Sequence, residues 1–165
     1  MSVLPILRWP DPRLAEICSP IDDITPEIET LAADMLETMY AAPGRGLAGP
    51  QVGAMRRIFV MDTGWKEGKS DPIVCINPML QEISEERATA EEGCLSIPGV
   101  TAQISRPAQV QMVWTGLNGG RYVQGFAGFA AVCVQHELDH LDGVVTFDHL
   151  TAADRSDLIA KYQAQ

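Results

Sequence analysis

Behind Thr25, apolar residues recur at Ile28, Leu31, Met35, Leu36 and Met39, the three- and four-residue spacing of a single helix face. Thr25-Pro26-Glu27 reads as a helix start, with an N-cap candidate, a proline in the first turn and early carboxylates. Ala42-Pro43-Gly44 is a breaker cluster, so a helix is predicted over about 26–41. The pattern then shortens its period. Arg57–Met61 and Pro72–Pro78 are short apolar runs bounded by turn residues and read as strands. Residues 79–90 and 100–114 alternate loosely, and Leu117–Gly120 suits a hairpin turn into Arg121-Tyr122-Val123. From about residue 127 helical spacing returns through Phe129, Val132, Cys133, His136 and His140, with Gly143 where a helix C-terminal glycine belongs. A short strand is expected at 144–147, and a last helix after Thr151, with Asp154 forming a weak capping box. Strands in the middle flanked by helices predict one α+β domain over residues 1–165. Its antiparallel or mixed sheets would pack around a central helix that carries both His136 and His140.

Composition narrows the class. The 46% apolar and 21% charged residues are ordinary for a soluble globular chain, and a net charge of −10 excludes a nucleic-acid or anionic-membrane surface. No window resembles a membrane span, and Met1–Trp9 lacks the charged and apolar regions of a secretion signal. Four cysteines, Cys18, Cys75, Cys94 and Cys133, are widely spaced with no C-x-x-C pair, so a reducing, cytoplasmic compartment is expected. One of these thiols is then a candidate for chemistry.

The chemistry concentrates in His136-Glu137-Leu138-Asp139-His140, which holds two of the three histidines. Histidines at i and i+4 share a helix face and can converge on one cation, and the glutamate between them can reach a metal-bound water without ligating the metal. The bland alternative is a helix with two solvated or locally bonded histidines. Two imidazoles do not hold a catalytic metal, so a third ligand is needed. A protease pattern H-E-x-x-H-x-x-G-x-x-H matches through Gly143 but ends at Thr146, and His149 reads better as a loop or cap residue than as a ligand. Glu92-Gly93-Cys94-Leu95-Ser96 offers the better donor: thiolate suits zinc or ferrous iron, and Gly93 would let the backbone come close. Cys75 and Cys133 sit in apolar runs and read as core. A third segment, Gly44-Arg45-Gly46-Leu47-Ala48-Gly49-Pro50-Gln51, pairs glycines with an uncharged side-chain donor, as a loop lying against a substrate carbonyl would.

Taken in order, Gly44–Gln51, Glu92–Ser96 and His136–His140 resemble the three motifs of the peptide deformylase family, G-x-G-x-A-A-x-Q, E-G-C-x-S and H-E-x-x-H. The resemblance covers nearly the whole chain. It implies a metal-dependent hydrolase that removes formyl from the N-terminal formylmethionine of nascent polypeptides and releases formate. The implied metal ligands are Cys94, His136 and His140, with water in the open fourth position. Glu137 matches the general base, Gln51 the side-chain amide that binds the developing oxyanion, and Leu95 the backbone N–H beside it. The cofactor implied is one divalent ion, Fe²⁺ in cells, with Zn²⁺, Ni²⁺ or Co²⁺ in purified protein. Gly46 and Arg45, with Phe129, Val132 and Cys133 from the histidine helix, are expected to touch the substrate and its methionine side chain.

The chain departs from the family pattern at three places. Arg45 replaces an apolar residue and is expected to put a charge at the cleft, favouring an acidic peptide. Gly49 replaces the second alanine and is expected to loosen the loop that positions Gln51. Thr101 stands where many members carry an arginine that contacts the peptide backbone. Past Thr151 the only cations are Arg155 and Lys161, against Asp154 and Asp157, so a basic helix that docks on the ribosome is not expected. Two other readings follow: a weakened relative that binds metal or peptide, and a zinc endopeptidase.

Overall fold

A computed structural model describes residues 1–165. Helix α1 spans Pro26–Ala41, and Thr25 Oγ1 accepts from Ile28 N–H at its start. Strands β1 (Gly46–Ala48), β2 (Ile58–Met61), β3 (Ile73–Ile83), β6 (Gln109–Thr115) and β7 (Arg121–Ala127) form an antiparallel sheet in the order β1-β2-β3-β6-β7. Strands β4 (Arg87–Cys94) and β5 (Ile97–Pro107) form a separate antiparallel pair. Helices α2 (Gly128–Leu141) and α3 (Ala152–Gln163) follow. This is the expected α+β arrangement.

Side-chain alternation explains the layers. In β2 every residue is buried, because successive side chains serve opposite faces. Phe59 and Met61 pack with Val134, Leu138 and Leu141 of α2, whereas Ile58 and Val60 pack with Ile28, Ala32, Met35 and Met39 of α1. Each large side chain so buried contributes roughly 1.5–3 kcal/mol, enough for tertiary packing to fix α2 between sheet and cleft. A third cluster, Leu14, Ile97, Val100, Val145 and Phe147, joins α3 to β5 through Leu158, Ile159 and Tyr162.

Two element boundaries differ from the sequence reading. Asn77-Pro78 looks like a strand end, yet β3 runs through it. A bulge lies between Ile76 and Met79, Asn77 adopts φ 49°, and its side chain bonds both Ile21 N–H and Ile21 C=O. A bulge tolerates both the proline and the left-handed asparagine inside a central strand. The strand expected at 144–147 is instead a 3₁₀ turn over Thr146–His149, started by Val145 N–H donating to Asp148 Oδ2 at 2.9 Å. Gly143 takes φ 75° after α2, as its place in the sequence implies.

Candidate metal centre and catalytic cleft

Three elements converge on one point. The β4–β5 turn brings Cys94 to the end of β4, α2 presents His136 and His140 one turn apart, and the 3₁₀ turn Gly49–Val52 after β1 delivers Gln51. His136 Nε2 and His140 Nε2 are 3.2 Å apart, and His140 Nε2 lies 3.4 Å from Cys94 Sγ. All three donor atoms lie within 4.8 Å of one another. A tetrahedral cation with bonds of about 2.0–2.3 Å separates its donors by roughly 3.3–3.8 Å, so the spacing fits such an ion.

The protonation pattern fits as well. His136 Nδ1 donates to Glu92 Oε1 at 3.1 Å, because a carboxylate only accepts, which leaves Nε2 as the ring nitrogen that a cation would take in place of a proton. Burial opposes charge on Cys94, yet His140 and then His136 hold its thiol well below the ordinary range. By contrast, burial alone pushes the Cys75 thiol well up, and the Cys133 thiol is raised by burial together with the Glu137 charge, so neither is a thiolate. Glu92 is itself pinned by Arg106, which bonds both its oxygens at 2.7 and 2.9 Å and reaches Asp139 Oδ2 at 2.9 Å. His149 meets the same Asp139 oxygen at 2.8 Å and lies outside the donor set. Glu92, Arg106 and Asp139 were not singled out by sequence reading. Glu92 stands inside the E-G-C-L-S motif, and a carboxylate beside a ligand was the available signal.

Glu137 is buried with Oε1 unpartnered. Burial raises its carboxyl above the ordinary value, and the His136 and His140 imidazoles offset this only in part. A methyl built on Gly46 would stand 2.6 Å from Glu137 Oε2 and 3.0 Å from Cys133 Sγ, so only glycine leaves that carboxylate in place. Gln51 is oriented from both ends. Its Oε1 accepts from Ala48 N–H at 2.9 Å, so its Nε2 must face Ser96 Oγ (3.0 Å) and Cys94 Sγ (3.7 Å). Leu95 N–H has no acceptor within the protein. These groups line a cleft of about 430 Å³ that also includes Arg45, Phe129, Val132, Cys133 and Thr101.

Two expectations need correction. Arg45 does border the cleft, but its guanidinium bonds both oxygens of Glu67 and lies 5.4 Å from the Phe129 ring centroid, so it is not a free charge that attracts acidic peptides. Gly49 does not loosen its loop: a methyl there would lie 2.6 Å from Ala54 O and 2.9 Å from Arg56 O, so the glycine permits a tight backbone contact. Among protein atoms, a methyl on Gly93 would meet only Thr101 Cγ2, at 3.7 Å. Thr101 bonds Glu91 Oε1 across the hairpin.

A Cys/His₂ donor set beside an unpartnered buried carboxylate, at the wall of an open cleft, defines a metal-dependent hydrolase. Residues 3–156 match the family model of polypeptide deformylase. The chain is 46% identical over 155 residues to the peptide deformylase of Acinetobacter baumannii (strain SDF), covering 94% of this chain and 87% of that one. It is also 46% identical over 165 residues to that of Rhodopseudomonas palustris (strain BisB5), covering 99% and 94%. Among solved structures, peptide deformylase from Ehrlichia chaffeensis in complex with actinonin superposes with a TM-score of 0.93 at 37% identity over 99% of this chain and 98% of that one. One from Legionella pneumophila gives 0.93 at 34% identity, over 99% and 95%. The chain belongs to the polypeptide deformylase family: it is a metal-dependent hydrolase that removes the formyl group from N-terminal formylmethionine of nascent polypeptides and releases formate.

Proposed function

We propose that deformylation here uses Cys94 Sγ, His136 Nε2 and His140 Nε2 as the protein ligands of one divalent cation, Fe²⁺ in the cell, with Zn²⁺, Ni²⁺ or Co²⁺ accepted by the same donors. The observation that carries this reading is the 3.2–3.4 Å spacing of those donors beside the unpartnered Glu137 Oε1. When bound, such a cation would polarise a carbonyl oxygen and lower the pKa of a coordinated water to near neutrality.

Glu137 is the general base and acid. Burial raises its carboxyl pKa, the direction that favours taking a proton, which it then returns to the departing amine nitrogen. Gln51 Nε2 and Leu95 N–H are the donors to the oxygen on which charge develops. One such preorganised donor typically contributes about 3–4 kcal/mol. Gly46, which carries no Cβ to crowd Glu137 Oε2, leaves room for the formyl carbon next to that carboxylate. Phe129, Val132 and Cys133 take the methionine side chain, with Arg45 closing the rim through its contact with Phe129. Residues 1–165 act as one catalytic domain.

Action on nascent chains supports a cytoplasmic enzyme, and no helix is long and apolar enough to cross a membrane. Ribosome contact, if made, does not rest on a basic α3, where Arg155 and Lys161 are matched by Asp154 and Asp157. The test is formate release from formyl-Met-Ala-Ser by anaerobically metal-loaded protein. Wild type is expected to turn over, and Glu137→Gln to keep its metal while losing about 10²–10⁴-fold in kcat. Equal rates in both would overturn the role of Glu137.

A further inference from the structure

Phe129 and Val132 wall one side of the cleft. Those two residues and Glu91 also border a second trough of about 490 Å³ between β4 and the start of α2. Two rows of side chains form its walls. On β4 the residues Glu92, Ala90 and Ala88 share one face by period two, running outward from the His136 partner. On α2 the facing row is His136, Val132 and Phe129, spaced four and three residues apart. Next to the centre the rows touch through Glu92 and His136. Farther out, the β4 row has shrunk to methyl groups while Phe129 leaves 54% of its surface exposed, so the space between the rows stays open. Pro107, Ala108 and Ala127 complete an apolar lining.

The charges at the trough are one-sided. Glu86 and Glu91 border it, whereas Arg106 is 5% exposed and already bonded to Glu92 and Asp139. A group entering the trough from the cleft therefore meets carbon along its length and carboxylates at its margin.

We infer that the pocket for the first side chain is open-ended, and that this enzyme accepts N-formyl peptides whose first side chain is longer than methionine, apolar along its stem and not anionic at its tip. The inference rests on the proposed roles of Phe129, Val132 and Cys133. The trough continues the methionine site, so occupying it adds apolar burial without moving the formyl group. Ala90 is then a specificity-determining position. A larger side chain there would close the passage between the rows.

The experiment compares formyl-Met-Ala-Ser with two peptides in which the S-methyl group of methionine becomes S-hexyl or S-carboxypentyl, using wild type and Ala90→Leu. In wild type, kcat/KM for the S-hexyl peptide is expected within about threefold of the methionyl value, with the S-carboxypentyl peptide about tenfold lower. In Ala90→Leu the ratio of S-hexyl to methionyl kcat/KM is expected to fall about tenfold or more. Binding of the corresponding deformylated peptides by calorimetry gives the same ranking independently of turnover. A wild-type S-hexyl value lower by about tenfold or more, or a ratio unmoved by Ala90→Leu, overturns the inference. Failure to turn over formyl-Met-Ala-Ser would instead strike the proposed function, while the calorimetric ranking would still decide the pocket.

Discussion

Glu92 Oε1 accepts from His136 Nδ1 at 3.1 Å while the same carboxylate is gripped through both oxygens by Arg106. An imidazole proposed as a metal ligand is thus held in orientation by a residue two positions before the proposed ligand thiol. On the proposed ligand set, motif E-G-C-L-S supplies both a donor and the brace for another donor, and the β4 strand keeps them in one frame.

Replacing that brace should act on the metal before it acts on the fold. Glu92→Gln keeps the shape but removes the charge, and metal affinity is expected to drop about 10–100-fold. Competition against a chelator measures this directly. Arg106, 5% exposed, would keep Asp139 as its one charged partner, so stability should also fall, by less than the roughly 3–5 kcal/mol of a fully broken buried pair. An unchanged metal affinity would mean that His136 is oriented by packing alone.

Gly46→Ala is expected to damage catalysis more than stability. Its methyl would stand 2.6 Å from Glu137 Oε2 and 3.0 Å from Cys133 Sγ, both ends of side chains that can move aside. The fold adapts, but the base is displaced, and displacement of a catalytic group by an ångström can cost about 10²-fold in rate. Parallel kcat and thermal-melt measurements separate the two effects. A large drop in Tm with normal kcat would contradict the placement of Glu137.

Away from the metal, Asp62 gives a pH signature. Burial pushes its carboxyl pKa up, but hydrogen bonds from Tyr40 Oη, Asp71 N–H and Ser70 Oγ outweigh this and hold it below the ordinary value. Because the folded-state pKa is depressed, the stabilisation is fully present above the unfolded carboxylate pKa of ~3.9 and lost as pH falls through the lower folded value. Asp62→Ala should therefore cost about 1–3 kcal/mol at neutral pH, and its gap to wild type in urea unfolding should narrow below about pH 4. A gap that widens on acidification would refute the assignment.

Local patterns in the chain carried much of this structure. The spacing of Ile28 through Met39 delimits α1, the solid apolar run in β2 reflects burial on both faces, and His136 with His140 marks α2 and its inward face. What escaped sequence reading depends on contacts between distant segments. Arg106 meets Glu92 and Asp139 only because β5 pairs with β4 under α2, and His149 meets Asp139 only after the chain turns at Thr146–His149. Arg45 looked like a free charge because Glu67 lies 22 residues away. Gly49 looked permissive for a different reason: the carbonyls that crowd it, of Ala54 and Arg56, are near in sequence but meet it only once the loop has folded back. Asn77-Pro78 concealed the length of β3, since a bulge is invisible without the partner strand.

X-ray absorption at the metal edge of the zinc-loaded protein tests the centre most directly. The expected first shell holds one sulfur at about 2.3 Å and two imidazole nitrogens at about 2.0–2.1 Å, with the sulfur lost in Cys94→Ser. A shell without sulfur, or one that retains sulfur in Cys94→Ser, would contradict the assignment of Cys94, His136 and His140 as the metal ligands.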